Sequence, residues 1–196
     1  RFGPAWTAEA ALRWHRQEFG MVPPAAFVPL LEETGLIVSI GERALRTACM
    51  HCKSWEAHGH GDLFVAVNFS AQQFERQDIV DVVRRVVDEG GLDPRKLEIE
   101  LTEGILMRHA EETIKTLNGL KAMGISLSVD DFGTGYSSLS YLKRFPLDTL
   151  KIDRSFVHDA PDEPDAIAII NAVMAMGHSL KLKVIAEGVE NAEQMA

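Results

Sequence analysis

Short β-rich runs recur along the chain at AEAALRW (8–14), LFVAVNFS (63–70), LEIELTE (97–103), ISLSVDDF (125–132), TLKIDRSF (149–156) and LKVIAEGV (182–189), with helical patterns between most of them. The clearest helical stripe carries Ile79, Val82, Val83, Val86 and Val87 and stops at Gly90-Gly91, a helix-end signal. A second carries Ile170, Val173, Met174 and Gly177 after DEPD, where Pro164 suits a first helical turn. The 136–144 connection is short and weakly patterned. Strands that alternate with helices pair in parallel, so the chain is an α/β protein with either an open doubly wound sheet or a closed barrel.

The polar residues choose between the two. At or near the strand ends stand Glu9 and Arg13, Asn68, Glu100 with Glu103, Asp130 with Asp131, Lys151 with Asp153, and Glu187. An open sheet gathers ligands mainly at a switch point, whereas a barrel brings all its strand ends around one mouth. Neither a GxGxxG nor a GxxxxGK[ST] loop supports the open alternative. With period two, Glu9, Ala11 and Arg13 share a strand face, as do Glu98 and Glu100, and Lys151 and Asp153. Carboxylates that point into an apolar barrel must be paired or hold a cation. Oxygen donors from Asn, Asp and Glu, without organised His or Cys, select Mg²⁺ or Mn²⁺ over zinc or copper.

The adjacent Asp130 and Asp131 close an apolar run just ahead of Gly133 and Gly135, which allow a sharp turn. Both carboxylates can then serve one site, the first bridging two metal ions and the second completing one of them, an arrangement suited to in-line displacement at phosphorus. An Asp cap with turn chemistry would explain the pair alone but not the other strand-end acids. The DFG that follows also occurs in protein kinases, but the glycine-rich loop, the strand lysine and the HRD loop of a kinase are missing.

At 196 residues with 46% hydrophobic and 25% charged residues, the chain has ordinary globular values and is read as one domain. A net charge of −9 argues against a duplex nucleic acid partner, since phosphate neutralisation needs clustered Lys and Arg. No apolar stretch reaches membrane-span length and no signal peptide is visible, which gives a cytoplasmic expectation with no membrane contact from this segment. Of the two cysteines in ACMHC, Cys49 and Cys52 fall with Leu45 and Ala48 on one helical face, so they are expected in the core rather than at a zinc or redox site.

EAALRW, PPAAFVPLLEETGLI, VNFS, IELTE, DDFGTGYSSL, LKIDRSF and IAEGVE occur in the order and spacing of the EAL-domain family, bacterial cyclic di-GMP phosphodiesterases, and the resemblance spans essentially the whole chain. It implies a TIM-type (β/α)₈ barrel with an antiparallel first strand, hydrolysing cyclic di-GMP to linear pGpG with two Mg²⁺ or Mn²⁺ ions. By motif position Glu9, Asn68, Glu100 and Asp130 would hold one metal, and Asp130, Asp131 and Glu187 the second. Lys151 resembles the lysine that orients or deprotonates the attacking water, a role that requires a lowered pKa or help from the metal. Glu103 resembles the glutamate that secures the loop bearing the Asp pair, and Arg13 and Asp153 resemble substrate contacts, to a phosphate and within the nucleotide pocket.

Two departures stand out. The signature triplet reads Glu9-Ala10-Ala11, with Ala in place of the family Leu, which removes an apolar contact near the substrate worth roughly 1–3 kcal/mol if nothing fills the gap. The chain also starts after the family's first strand and stops before its last helix and strand, leaving six strands where a barrel needs eight. It is therefore read as an EAL domain over residues 1–196, lacking both ends, within a longer signalling protein that carries sensory or GGDEF-type domains and whose other parts could anchor it to a membrane. By itself such a piece is expected to be poorly stable, because open sheet edges invite pairing. Homodimerisation is a family-level expectation, and a cyclic di-GMP receptor without turnover is the alternative function.

Overall fold

The computed structural model describes residues 6–18, 20–76, 78–135, 139–160 and 163–195. In chain order they form β1 (Trp6–Ala10), β2 (Trp14–Arg16), β3 (Gly20–Val22), α1 (Pro24–Glu33), α2 (Ile37–Ala57), β4 (Leu63–Phe69), α3 (Ala71–Arg76), α4 (Ile79–Gly90) and β5 (Leu97–Thr102). There follow α5 (Glu103–Met107), α6 (Ala110–Ala122), β6 (Ser126–Phe132), α7 (Leu139–Leu142), β7 (Thr149–Ile152), α8 (Arg154–Asp159), α9 (Pro164–Ser179), β8 (Lys183–Ala186) and α10 (Ala192–Met195). One sheet takes the strands in the order β1-β4-β5-β6-β7-β8, and β1/β4, β6/β7 and β7/β8 are parallel. Sequence order equals sheet order, as successive strand and helix units require. The weakly patterned 136–144 connection falls partly on residues 136–138, outside the described residues, and its remainder begins with the single turn of α7.

The chain divides into two compact units, residues up to Ile99 with Ala122–Ile125, and Glu100–Lys121 with Ser126 onward. In the first, α2 buries Leu45, Ala48, Cys49 and Cys52, the face its spacing predicts. Burial pushes the Cys49 thiol up to about 11, so it is a core thiol rather than a reactive thiolate. Helix α4 buries Ile79, Val83, Val86 and Val87, each such side chain contributing about 1.5–3 kcal/mol of transfer free energy. Outside this packing, Arg46 bridges Glu42 and Glu89, and Arg85 also reaches Glu42 at 2.9 Å.

The expected first strand over 8–14 is shorter than its pattern. It ends at Ala10, residues 11–13 belong to no strand, and Trp14–Arg16 pairs antiparallel with Gly20–Val22. Arg13 therefore does not share a strand face with Glu9. The physical reason is side-chain packing: Trp14 stands edge-on to Phe27 of α1, 5.8 Å between ring centroids, and Arg16 lies 5.5 Å over the indole.

In the second unit, β7 is buried at all four positions and ends at Ile152 rather than at Phe156. The residues RSF that read as strand open α8, because the Asp153 side chain caps the Ser155 N–H at 3.0 Å. Asp153 accordingly stands at a helix cap and not on a strand face with Lys151. Helix α9 starts with Pro164 as expected and buries Val173 and Gly177, while Met174 is 51% exposed, so the anticipated four-residue stripe is only half inside. No helix among the described residues is long and apolar enough to cross a membrane.

Candidate functional site

In the second unit the C-terminal ends of β5, β6, β7 and β8 deliver one ammonium among carboxylates. Lys151 Nζ lies 2.8 Å from Glu100 Oε1, 2.6 Å from Glu187 Oε1 and 3.6 Å from Asp130 Oδ1. Glu100 is 2% exposed and Lys151 7%, so neither charge is left to bulk solvent. Parallel register explains the meeting: Lys151 pairs with Ile185, Ile152 with Ala186, and the Glu187 N–H then donates to Ile152 O at 3.1 Å. Burial works to lower the Lys151 pKa, but the bonds to Glu100 and Glu187 outweigh it and the net shift is upward. Lys151 is thus an ammonium in this arrangement rather than a ready base.

The Asp pair is placed by a bulge. Val129 pairs with Leu150 and Phe132 with Ile152, so Asp130 and Asp131 together face the single Lys151 position. Asp131 takes the left-handed backbone, φ 53°, and its N–H donates to Asp130 Oδ1 at 3.0 Å. Holding a non-glycine residue there costs on the order of 1–3 kcal/mol, and bulges of this kind re-aim side chains beside functional sites. The expected turn therefore occurs at Asp131 itself, one step before the glycines. As a result, carboxylate oxygens of Asp130, Asp131 and Glu187 lie within 4.8 Å of one another. Burial, the Asp130 charge and a hydrogen bond shared with Asp153 push the Asp131 carboxyl up to about 6. Burial tends to raise Asp153 too, but the Ser155 hydroxyl and N–H outweigh it and hold that carboxyl below its usual range.

The loop after β6 is secured from two sides. Glu103, 3% exposed at the start of α5, accepts the Gly133 N–H through Oε2 at 3.2 Å. Gly133 has φ 100°, and a Cβ there would stand 3.0 Å from the Phe156 ring, so only glycine fits. Phe156 and Ser155 were not anticipated as site neighbours. The Asp-x-Ser spacing of a helix start in IDRSF is the signal that could have shown them.

In the first unit, Glu9 pairs in register with Ala66, and Asn68 Nδ2, two residues further on, donates to Glu9 Oε1 at 2.8 Å. Glu9, Ala11 and Arg13 lie on the wall of an open cleft of about 830 Å³ that also meets Trp14, Phe27 and Leu31. Ala11 is exposed there. The anticipated site residues thus stand at strand ends or in the residues directly after them, Glu103 at the start of α5, and the acids and Asn68 among them offer oxygen, the donor that hard divalent cations take.

The EAL-domain family model matches residues 3–196. Over 192 residues the chain is 47% identical to the bifunctional diguanylate cyclase/cyclic di-GMP phosphodiesterase MucR of Pseudomonas aeruginosa, covering 98% of this chain and 28% of that protein. It is 44% identical over 194 residues to the cyclic di-GMP phosphodiesterase NbdA of the same organism, covering 99% of this chain and 25% of NbdA. The chain therefore spans about a quarter of the length of these curated relatives. Among solved structures, the PaMucR phosphodiesterase in complex with c-di-GMP superposes with a TM-score of 0.95 at 47% identity, over 98% of this chain and 78% of that one. The six-stranded sheet is accordingly that of the TIM-like (β/α)₈ barrel. The chain belongs to the EAL-domain family.

Proposed function

We propose that the chain is a metal-dependent cyclic di-GMP phosphodiesterase producing linear pGpG, one module of a longer signalling protein. The observation that carries this reading is the convergence of the Asp130, Asp131 and Glu187 carboxylates within 4.8 Å, with one ammonium against them. Three acids at that spacing carry more negative charge than Lys151 offsets, and divalent cations would complete the balance. Glu9, Asn68, Glu100, Asp130, Asp131 and Glu187 are the residues assigned to hold two Mg²⁺ or Mn²⁺ ions. When bound, such ions lower the pKa of water and neutralise a non-bridging phosphate oxygen.

The protein's own residues then have distinct tasks. Lys151, which lies against Glu100 and Glu187, would orient the attacking water or take its proton once metal ions draw those carboxylates away. Asp130 and Asp131 present adjacent carboxylates because of the bulge, and Glu103 fixes the loop that follows through Gly133. Asp153, whose carboxylate caps α8 through the Ser155 N–H, would accept from the nucleotide, and Arg13 would offer its guanidinium to a phosphate.

Incubation with cyclic di-GMP and Mg²⁺ or Mn²⁺, beside a chelated control, tests this by chromatography. Metal-dependent pGpG supports the reading, and unchanged substrate sinks it. A second reading, a cyclic di-GMP receptor without turnover, is favoured by Ala11, whose exposed wall lacks the family's leucine. Binding without hydrolysis under the same conditions would establish it.

A further inference from the structure

Two loops close on the first turn of α8. Gly133, after β6, lies on Phe156, while Gly188, after β8, lies on Arg154. Gly188 has φ 71°, and a Cβ added there would stand 2.8 Å from Arg154 Cβ and 3.6 Å from its Cα. Contact that close leaves no room for any side chain at 188, whatever its chemistry. Immediately before it, the Glu187 N–H is tied to Ile152 O at 3.1 Å and the Glu187 carboxylate reaches Lys151 at 2.6 Å. Immediately before Arg154, Asp153 shares a hydrogen bond with Asp131. The seat of Gly188 on Arg154 therefore couples the backbone that carries Glu187 to the backbone that carries Asp153.

We propose that Gly188 is a positioning residue: by letting the chain lie directly on Arg154, it sets the Glu187 carboxylate at its place against Lys151 and the Asp130–Asp131 pair. This rests on the metal-dependent reading above. The mechanism is steric, because any Cβ pushes residue 188 off α8 and Glu187 moves with it.

The test measures Mn²⁺ affinity, by counting free Mn²⁺ with electron paramagnetic resonance, together with the thermal melt. The variants are Gly188→Ala, Gly188→Asn, Arg154→Gly and the double variant Gly188→Ala with Arg154→Gly. Asn tolerates a left-handed backbone yet carries a Cβ, so it separates conformation from contact. Both Gly188 single variants are expected to weaken Mn²⁺ binding about tenfold or more, the scale seen when a ligand's supporting contacts are lost. Arg154→Gly, which removes the opposing Cβ, should bind Mn²⁺ as the unmodified chain does and should restore most of the affinity in the double variant. Where Gly188→Ala does not fold, Gly188→Asn and the double variant decide. Wild-type affinity in Gly188→Asn, or no recovery in the double variant, overturns the proposal. Mn²⁺ binding without hydrolysis of cyclic di-GMP by the unmodified chain would sink the functional reading instead and leave this comparison intact.

Discussion

The two ends of strands β6 and β7 treat charge in opposite ways. At their N-terminal ends the Asp148 carboxylate accepts the Leu127 N–H at 2.8 Å and both its oxygens meet Lys121 Nζ at 2.8 Å, while the Asp148 carbonyl takes the Lys183 N–H at 2.9 Å. One acid, one base and the neighbouring backbone satisfy each other. At the C-terminal ends Lys151 faces Glu100, Asp130 and Glu187, with Asp131 close by. The first end is complete without a ligand and ties strands together, whereas the second sets four carboxylates, Glu100, Asp130, Asp131 and Glu187, beside one lysine. This division between a stabilising bottom and a reactive top is the general rule for barrels of this type.

The contrast breaks most sharply at Asp130. Asp130→Ala should reduce hydrolysis more than about 100-fold, beyond what losing a ligand's supporting contacts costs. Its melting temperature should hold or rise, since Lys151 keeps Glu100 and Glu187 and the crowding of Asp131 is relieved. A steady-state assay beside a thermal melt checks both halves. At the other end, Asp148→Ala should destabilise by about 1–3 kcal/mol, through the orphaned Leu127 N–H and the loss of Lys121's partner, with turnover per folded molecule unchanged. Denaturant unfolding measures the first part and active-site-normalised rates the second.

A pH series sharpens the comparison further. The Asp131 carboxyl titrates near 6 when folded, against 3.8 for the free group. The folded state therefore binds more protons than the unfolded state between those values. That contribution to stability is fully present below pH 3.8 and is lost as the pH rises through about 6. Saturating Mn²⁺ should flatten the slope, and Asp131→Asn should remove it, as read from chemical denaturation across the range. The smallest effect belongs to Arg144 and Glu111, an exposed pair at 2.7 Å, where Arg144→Ala should change stability by less than about 1 kcal/mol.

Much of this was legible in the residues. The stripe from Ile79 to Val87 predicted α4, and Leu45, Ala48, Cys49 and Cys52 predicted the inner face of α2, because burial imposes the helical period directly on sequence. Three of the strands, β4, β5 and β6, stand within a residue of their runs, whereas β8 stops at Ala186, three residues short of its run. The failures fall where tertiary contacts override local pattern. Trp14 left the first strand to pack on Phe27, and RSF at 154–156 has strand-like residues but obeys the cap at Asp153. At the site, the acids at the strand ends were legible in the sequence, yet the left-handed backbone of Asp131 and the fit of Gly133 on Phe156 are properties of contact geometry. Residue types alone do not encode them.

The bulge in β6 has one more consequence. Two acids stand where a regular strand would offer one, so the number of carboxylates β6 presents there is a matter of chain length rather than of composition. Removing either residue by deletion, as distinct from substitution, would draw Val129 and Phe132 into plain alternation opposite Leu150 and Ile152 and leave one carboxylate where β6 now presents two. A single-codon deletion would thus remove the doubled acid while keeping every other residue of the sequence.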